Sequence, residues 1–277
     1  MDQSLPPGLY IVATPIGNLS DLSPRAAQTL RRADRILAED KRVTAKLLAH
    51  AGATAPMSTY HDHSSEADRD KILAMLATHA VALVSDAGTP LISDPGYKLV
   101  RSARAAGHIV STIPGPCAAI AALTLAGLPT DRFLFAGFLP AKAKARAGVI
   151  AELAGVRASL VLYETGPRLG ESLAALAAGL GTREAAVARE ISKLHEECVT
   201  GTLDELASRY AAAAPKGEIV IVVGPPGDAA AATDDEVDAA LDEALARLSP
   251  SRAAAEVAEM LNVPRKRAYA RALERAK

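Results

Sequence analysis

The sequence predicts an α/β protein whose first half forms a mainly parallel sheet. In the middle of the chain, two apolar runs, residues 81–84 and 109–113, flank a helical segment. Short apolar runs are typical of strands that are covered on both faces. Each run is followed by a turn of glycine and proline, residues 87–90 and 114–116. Ligands of open α/β sheets bind at this carboxyl edge, so the sequence favours a ligand-binding enzyme.

The first half of the chain repeats the order strand, loop, helix. The expected strands, each a short apolar run, are residues 8–13, 35–38, 81–84 and 109–113. The expected helices are residues 24–32, 44–50, 66–79 and 95–106, with an irregular segment over 51–65. Ser93 or Asp94 is expected to cap the last helix, with Pro95 at its first position. Helical connections of ten or more residues call for parallel strands.

The second half differs in placing charged residues where its strands end. The expected strands are residues 133–139, 159–163, 185–189 and 218–223, and the expected helices are 117–126, 167–180 and 203–213. We place the domain boundary after residue 115, which predicts α/β domains over 1–115 and 116–226. Within the second, residues 141–148 carry Lys142, Lys144 and Arg146 and no acid. This segment fits a solvated linker or helix start, and equally a loop that faces phosphates.

A third, helical segment is expected over residues 233–277, after a linker. Thr233 and Glu236 form a capping box, and Ser249-Pro250 begins another helix. Residues 250–277 hold seven basic residues against three acidic ones. A basic extension that resembles a helix-turn-helix indicates nucleic-acid binding. The alternative is a solvated helical hairpin that packs on the body of the protein.

Composition excludes several classes of protein. The 277 residues are 49% hydrophobic with a formal net charge of −1, which argues against a wholly basic nucleic-acid wrapper. The two cysteines, Cys117 and Cys198, are far apart and suggest neither a disulfide framework nor a zinc site. No apolar run approaches a membrane span, and no signal-peptide pattern is present. We therefore expect a cytoplasmic protein that does not act at a membrane.

Common nucleotide and metal motifs are absent from the sequence. It has neither a G-x-G-x-x-G loop nor a P-loop, and Gly179-x-Gly181 falls where a helix should end. His61 and His63 flank Asp62, but no third ligand follows, so we expect no metal and interpret this segment as a polar loop of the substrate cleft.

Six motifs, in order along residues 8–225, resemble those of the tetrapyrrole-methylase-fold family. They are TPIGNL at 14–19, SDAGTPLISDPG at 85–96, IPGP at 113–116, YETGPR at 163–168, REISK at 189–193 with HEE at 195–197, and GEIV at 217–220. Within the family, the pattern is most similar to members that methylate the ribose 2′-oxygen of a cytidine in 16S ribosomal RNA.

The resemblance implies a two-domain class III methyltransferase fold with a small helical C-terminal extension. It implies S-adenosylmethionine as the cofactor, bound between the two domains, a homodimer, and 16S RNA or the 30S subunit as the partner. Transferring the family's cofactor contacts to matching positions gives Pro15, Asp86, Gly88, Thr89, Cys117, Ala118, Tyr163, Ala188, Gly217 and Glu218. Many relatives have Ser or Thr at the position of Cys117, which donates a weaker hydrogen bond.

Methylation of a ribose hydroxyl needs a base, or a cation that favours the alkoxide. Arg189, Glu190 and Lys193 lie within five residues at a strand end and are our candidates for the catalytic residues. Candidate substrate contacts are Gly17, Asn18, Glu164 and Arg168, since Gly17 permits close approach of an RNA backbone. The alternative is that these charges form ordinary surface ion pairs. Lys142–Arg146 and the basic extension are expected to help hold RNA.

Two rival functions are compatible with the same motifs. One is methylation of a corrin or porphyrin precursor on the same fold, which would not explain a basic C-terminal extension. The other is a non-catalytic RNA-binding assembly factor, which would not bind S-adenosylmethionine.

Overall fold

The computed structural model describes residues 4–61, 64–212, 214–227, 233–261 and 263–276. They belong to two compact units, Met1–Pro225 and Pro226–Lys277, and each is described by itself. No helix in these ranges is long and apolar enough to cross a membrane.

The first sheet of the larger unit is parallel throughout. Its strands are β1 Gly8–Val12, β2 Arg35–Ala38, β3 Met57–Thr59, β4 Ala80–Leu83 and β5 Val110–Ile113. They lie in the order β3-β2-β4-β1-β5, and every neighbouring pair is parallel. The helices that connect them are α1 Pro24–Arg32, α2 Lys41–Ala51, α3 Glu66–Leu76 and α4 Tyr97–Ala105.

Helices cover both faces of this sheet, as the apolar runs predicted. Leu9 of β1 packs with Leu99 of α4 in one buried layer, while Val12 packs with Leu30 of α1 in the other. Successive strand residues point to opposite faces, so each run fills two layers. The strand β3 was missed, because its three residues lie within the segment 51–65 and carry no apolar run. Of the histidine segment, Asp62 and His63 lie outside the described residues.

The second sheet is mixed. Its strands are β6 Phe133–Phe138, β7 Ser159–Thr165, β8 Glu184–Arg189, β9 Glu197–Thr202 and β10 Glu218–Val223. The order is β6-β7-β10-β8-β9, and only β6 and β7 pair in parallel. Its helices are α5 Ala118–Leu125, α6 Ala143–Ala154, α7 Gly166–Leu180 and α8 Leu203–Tyr210.

The parallel arrangement that was predicted from the first half of the chain, and is confirmed there, does not extend to the second sheet. The connection between β8 and β9, residues 190–196, is short enough for an antiparallel pair and contains no crossover helix. The sequence ECVTGT of β9 also gave no strand signal, because this edge strand is only half-buried and needs no continuous apolar run.

The basic segment after β6 begins a helix. Lys142 precedes the first residue of α6, Ala143, and is exposed like Lys144. Arg146 is 4% exposed and pairs with Glu171, and it also donates to the Ala141 carbonyl. Arg146 is thus a structural residue of the core edge, and the expectation that it contacts RNA phosphates is wrong.

The C-terminal unit consists of three helices with a core of their own. They are α9 Asp234–Leu245, α10 Pro250–Met260 and α11 Arg265–Arg275. The capping box of Thr233 and Glu236 is present, since each accepts the other's backbone N–H. Val237 and Leu241 of α9 pack against Val257 of α10 and small alanines of α11.

Three arginines of α11 pair with three aspartates of α9, and we call this set the arginine ladder. Its pairs are Arg267–Asp234, Arg271–Asp238 and Arg275–Asp242, each with a nitrogen–oxygen distance of 2.6 Å. The neighbouring arginines hold the pKa of each aspartate below its usual range. The excess of basic residues counted over 250–277 is therefore largely neutralised by the helix upstream.

Replacing the middle aspartate of the arginine ladder, Asp238→Asn, should lower the melting temperature of the C-terminal unit by about a few degrees. Asp238 also contacts Arg275 at 3.0 Å, so both arginines lose a partner. Circular dichroism of the full chain at low and high salt measures the effect, which should shrink as salt screens the charges. Asp235→Asn, on the same helix, is the control; an equal loss in both variants contradicts the prediction.

Candidate active site

The turns at the strand ends of the two sheets surround one cavity in the larger unit. The cavity offers about 900 Å³ of empty space and opens to solvent. The first half contributes Ile16 and residues 87–89 and 92–94, and the second sheet contributes the end of β7, the start of β10 and the loop after β8. Ligands of α/β sheets bind at such an edge.

The antiparallel pairing of β10 gathers three chain segments at this edge. Glu218, the first residue of β10, lies opposite Thr165 at the end of β7, and Ile219 lies opposite Arg189 at the end of β8. The start of one strand and the ends of its two neighbours therefore meet, which places Glu218, Glu164 and Glu190 around one cavity.

The three loops of the first sheet are tied to one another. Thr14, after β1, and Gly88, after β4, exchange backbone hydrogen bonds of 2.8 and 3.1 Å. The Thr89 hydroxyl donates to the Pro116 carbonyl, after β5, at 2.9 Å. Gly88 has a φ of +77°, which glycine adopts at little cost. These bonds fix the wall of the cavity that contains Gly88 and Thr89.

The segment between β4 and α4 does not begin the helix where the sequence predicted. The N-cap is Gly96, with a φ of +134°, and not Ser93 or Asp94. A side chain at position 96 would lie 2.9 Å from Leu83, so glycine is required by close packing. Leu91 and Ser93 both have positive φ. Such strained loops concentrate at functional sites.

Asp94 is thereby freed from a capping role and lines the cavity. Burial, with smaller contributions from the nearby carboxylates of Glu39, Asp86 and Glu218, raises the pKa of Asp94 to about 6, and a hydrogen bond with the Ser85 hydroxyl opposes this rise. Sequence analysis missed Asp94 as a site residue, because its pattern also fitted a helix cap.

The loop between β8 and β9 holds the catalytic candidates and contacts the first half of the chain. Lys193 Nζ lies 3.0 Å from Glu190 Oε1, and both residues line the cavity. The Ser192 hydroxyl donates to the Asp21 carboxylate. A Cβ on Gly17 would lie 2.5 Å from the Lys193 side chain. Gly17 thus leaves room for the lysine.

The aromatic wall of the cavity contains Tyr163 and Phe138, whose ring centroids lie 5.6 Å apart. The Tyr163 hydroxyl accepts the backbone N–H of Ala119, in the first turn of α5, at 3.2 Å. Burial, followed by the nearby Cys117, raises the pKa of Tyr163. Its phenol therefore stays neutral and positions the start of α5 beside the cavity.

Glu164 and Arg168, two of the predicted substrate contacts, belong to a buried network. Glu164 is 2% exposed and accepts from the Thr165 backbone at 2.8 Å and the Ser172 hydroxyl at 2.5 Å. Arg168 Nε lies 3.4 Å from Glu164, and Arg168 also donates to Leu139. Glu164 borders the cavity, whereas Arg168 does not line it.

The seventeen predicted site residues divide into those that line the cavity and those that do not. Eight line it: Gly88, Thr89, Ala118, Tyr163, Glu164, Glu190, Lys193 and Glu218. The neighbours that do not line it are Pro15, Gly17, Asn18, Asp86, Cys117, Arg168, Ala188, Arg189 and Gly217. The predicted catalytic, cofactor-binding and substrate-binding roles of both groups stay predictions.

Several of these neighbouring residues have structural partners. Asp86 accepts the backbone N–H of Asp40 at 3.0 Å, and Asn18 accepts that of Ser20 at 3.0 Å. Arg189 donates to Glu197 at 2.5 Å. Ala188 is fully buried within β8.

The chemistry of the cavity fits a nucleoside that carries positive charge. Its wall combines apolar side chains, the neutral phenol of Tyr163, and carboxylates from both sheets, with Lys193 adjoining Glu190. Within the described ranges, no group of three or more His, Cys, Asp or Glu side chains could hold a metal ion. Apolar walls suit an adenine ring, and the carboxylates suit a cation.

Comparisons with known proteins agree with this geometry. Residues 8–207 match the family model of tetrapyrrole (corrin/porphyrin) methylases, and residues 225–276 match that of the RsmI C-terminal HTH domain. A uroporphyrin-III C-methyltransferase structure from Thermus thermophilus is similar in fold, with a TM-score of 0.56, 22% identity, and coverage of 78% of this chain and 93% of that one. Another from that organism was solved with S-adenyl homocysteine.

Full-length relatives are closer in sequence. The ribosomal RNA small subunit methyltransferase I of Erythrobacter litoralis is 58% identical, over 98% of this chain and 96% of the relative. That of Mesorhizobium japonicum is 48% identical, over 98% and 92%.

The fold and the site therefore define an S-adenosylmethionine-dependent methyltransferase with the tetrapyrrole-methylase fold, as the motifs implied. More narrowly, the chain belongs to the ribosomal RNA small subunit methyltransferase I family. This membership excludes the rival function of a non-catalytic assembly factor.

The substitution Gly17→Ala should lower the rate of methyl transfer at least about tenfold without changing cofactor affinity. The new methyl group would displace Lys193 and separate it from Glu190. Single-turnover kinetics and calorimetry with S-adenosylmethionine measure the two quantities. Gly148→Ala, on α6 with open space around it, is the matched control. An unchanged rate would show that the position of Lys193 is not critical.

Asp94→Asn should raise the melting temperature at pH 8 and leave it unchanged near pH 4. The pKa of Asp94 in the folded protein, about 6, lies above the ordinary value of 3.8. The folded state therefore binds the proton more tightly, and the wild type loses stability as pH rises from about 4 to about 6. Thermal unfolding across this pH range tests the prediction. A lower melting temperature for the variant at pH 8 contradicts it.

Proposed function

We propose that this methyltransferase transfers a methyl group to the ribose 2′-oxygen of a cytidine in 16S RNA of the small ribosomal subunit. The printed names of its relatives support the RNA class. The pair of Glu190 and Lys193 at the cavity, with 3.0 Å between carboxylate and ammonium, carries the proposal for a hydroxyl acceptor.

A hydroxyl acceptor requires that a proton leave as the oxygen attacks. S-adenosylmethionine supplies an electrophilic methyl group on its sulfonium. Glu190 is placed to accept the hydroxyl proton, and the Lys193 ammonium stabilises the charge that develops on the ribose oxygen. Glu190 lines the cavity and has a φ of +50°, a strained backbone conformation of the kind that is concentrated at functional sites.

The RNA is held, in this proposal, by the C-terminal unit as well as by the cavity. Arg252, Arg265 and Lys266 are exposed and have no ion-pair partner among the residues that the structure describes. They are the cations available to phosphates. The arginines of the arginine ladder are engaged with α9. The match to an HTH domain agrees with a nucleic-acid contact.

The rest of the proposal has four parts. The protein is a homodimer, it is located in the cytoplasm, its two α/β domains meet after residue 115, and its substrate is the 30S particle. The resemblance in sequence supports the dimer and the substrate. The two separate sheets support the boundary.

Transfer of tritium from labelled S-adenosylmethionine tests the function. We expect label on 30S particles or 16S RNA, mapped to a ribose by resistance to alkaline cleavage, and none on uroporphyrinogen. Lys193→Met and Glu190→Gln should each lower transfer about 100-fold or more with cofactor affinity retained. Lys98→Met, an exposed change on α4, is the control. Label on the tetrapyrrole alone, or on a base, would overturn the proposal.

A further inference from the structure

Two carboxylates face the cavity without a cation beside them. Asp94 comes from the loop after β4, and Glu218 is the first residue of β10. Within the described part of the chain, neither has an ion-pair partner. The other two acids of the cavity differ, since Glu164 lies near Arg168 and Glu190 near Lys193. The cavity therefore carries unbalanced negative charge, shared between its two walls.

Asp94 lies close enough to Glu218 for the two charges to interact, although they come from different sheets. It is half-buried, where a charge interacts more strongly with a ligand than it would in open water. Placing like charges together costs stability. A bound cation would compensate for this cost.

Methyl transfer changes the charge of the bound molecule. The sulfonium of S-adenosylmethionine is positive, whereas the sulfur of S-adenosylhomocysteine is a neutral thioether. The adenosine and amino-acid portions are the same in both. A carboxylate that interacts electrostatically with the sulfur therefore binds the cofactor more strongly than the product. A carboxylate that contacts only the shared portions binds both equally.

We propose that Asp94, together with Glu218, makes the cavity selective for the sulfonium cofactor over its neutral product. Asp94 is a specificity-determining residue that was not among the cofactor contacts transferred from the family. Because the positive charge is lost during transfer, the affinity for the product is lower than the affinity for the cofactor, and product release is favoured. This inference rests on cofactor use alone and is independent of which RNA is methylated.

The selectivity depends on pH through the groups around Asp94. Asp94 interacts with three carboxylates and two hydroxyls, which belong to Glu39, Asp86, Glu218, Ser85 and Tyr163. As pH falls below about 6, Asp94 takes up a proton, and its attraction for the cation is lost. Affinity for S-adenosylmethionine should therefore fall at acid pH more steeply than affinity for S-adenosylhomocysteine.

Calorimetry of the full chain with each molecule, at pH 7.5 and 5.5, tests the proposal. Asp94→Asn should weaken S-adenosylmethionine binding about tenfold and change S-adenosylhomocysteine binding less than about twofold. The variant should also lose the extra pH dependence. Asp94→Glu should retain most of the selectivity, and Asp131→Asn, an exposed change of the same type, should match the wild type.

Equal weakening of both molecules would overturn the proposal, because Asp94 would then act on their shared portion or on folding. Unchanged binding of both would also overturn it. The measurement needs no RNA, so its failure is separate from that of the proposed function. If Asp94→Asn loses the selectivity but the wild type transfers no methyl group to RNA, the proposed function is contradicted and the proposal for Asp94 stands.

Discussion

The antiparallel pairing of β10 with both β7 and β8 is the constraint on which the site depends. A parallel strand in this place would start at the opposite edge of the sheet and remove Glu218 from the cavity. With the observed direction, its first residue meets the ends of two neighbours. The buried strand interior, with Ile221 and Val222 fully covered, holds these polar ends in register without flexible connections.

Charge in the cavity follows from this geometry. Each wall contributes acids, and two of them are neutralised locally by Arg168 and Lys193. Leu91, Ser93, Glu190 and Ser192 have positive φ, and the two loops that contain them contribute residues to the wall of the cavity. The folded protein maintains this strain through buried packing, such as that of Gly96 against Leu83. Such strain lowers stability locally, at the cavity wall.

Sequence reasoning located most of this architecture, because the first sheet follows simple rules. Apolar runs such as 81–84 and helices that begin at Ser23-Pro24 depend on local patterns. The antiparallel direction of β10 does not follow from a local pattern, because a buried strand has the same apolar sequence whether it is parallel or antiparallel to its neighbours. Asp94 was missed as a cavity residue because the sequence Ser93-Asp94-Pro95-Gly96 also fits the N-cap of a helix. Arg146 was assigned to solvent because its burial depends on α7, distant in sequence.

The arginine ladder has a consequence for how the C-terminal unit tolerates change. Its pairs recur every four residues on both helices, with a constant separation of 33 along the chain, so α9 and α11 run in the same direction. One residue inserted within either helix would rotate all the following partners away by about 100°. Insertions of that kind should be confined to the connections, and the spacing of the ladder thus limits how the lengths of these helices can diverge during evolution.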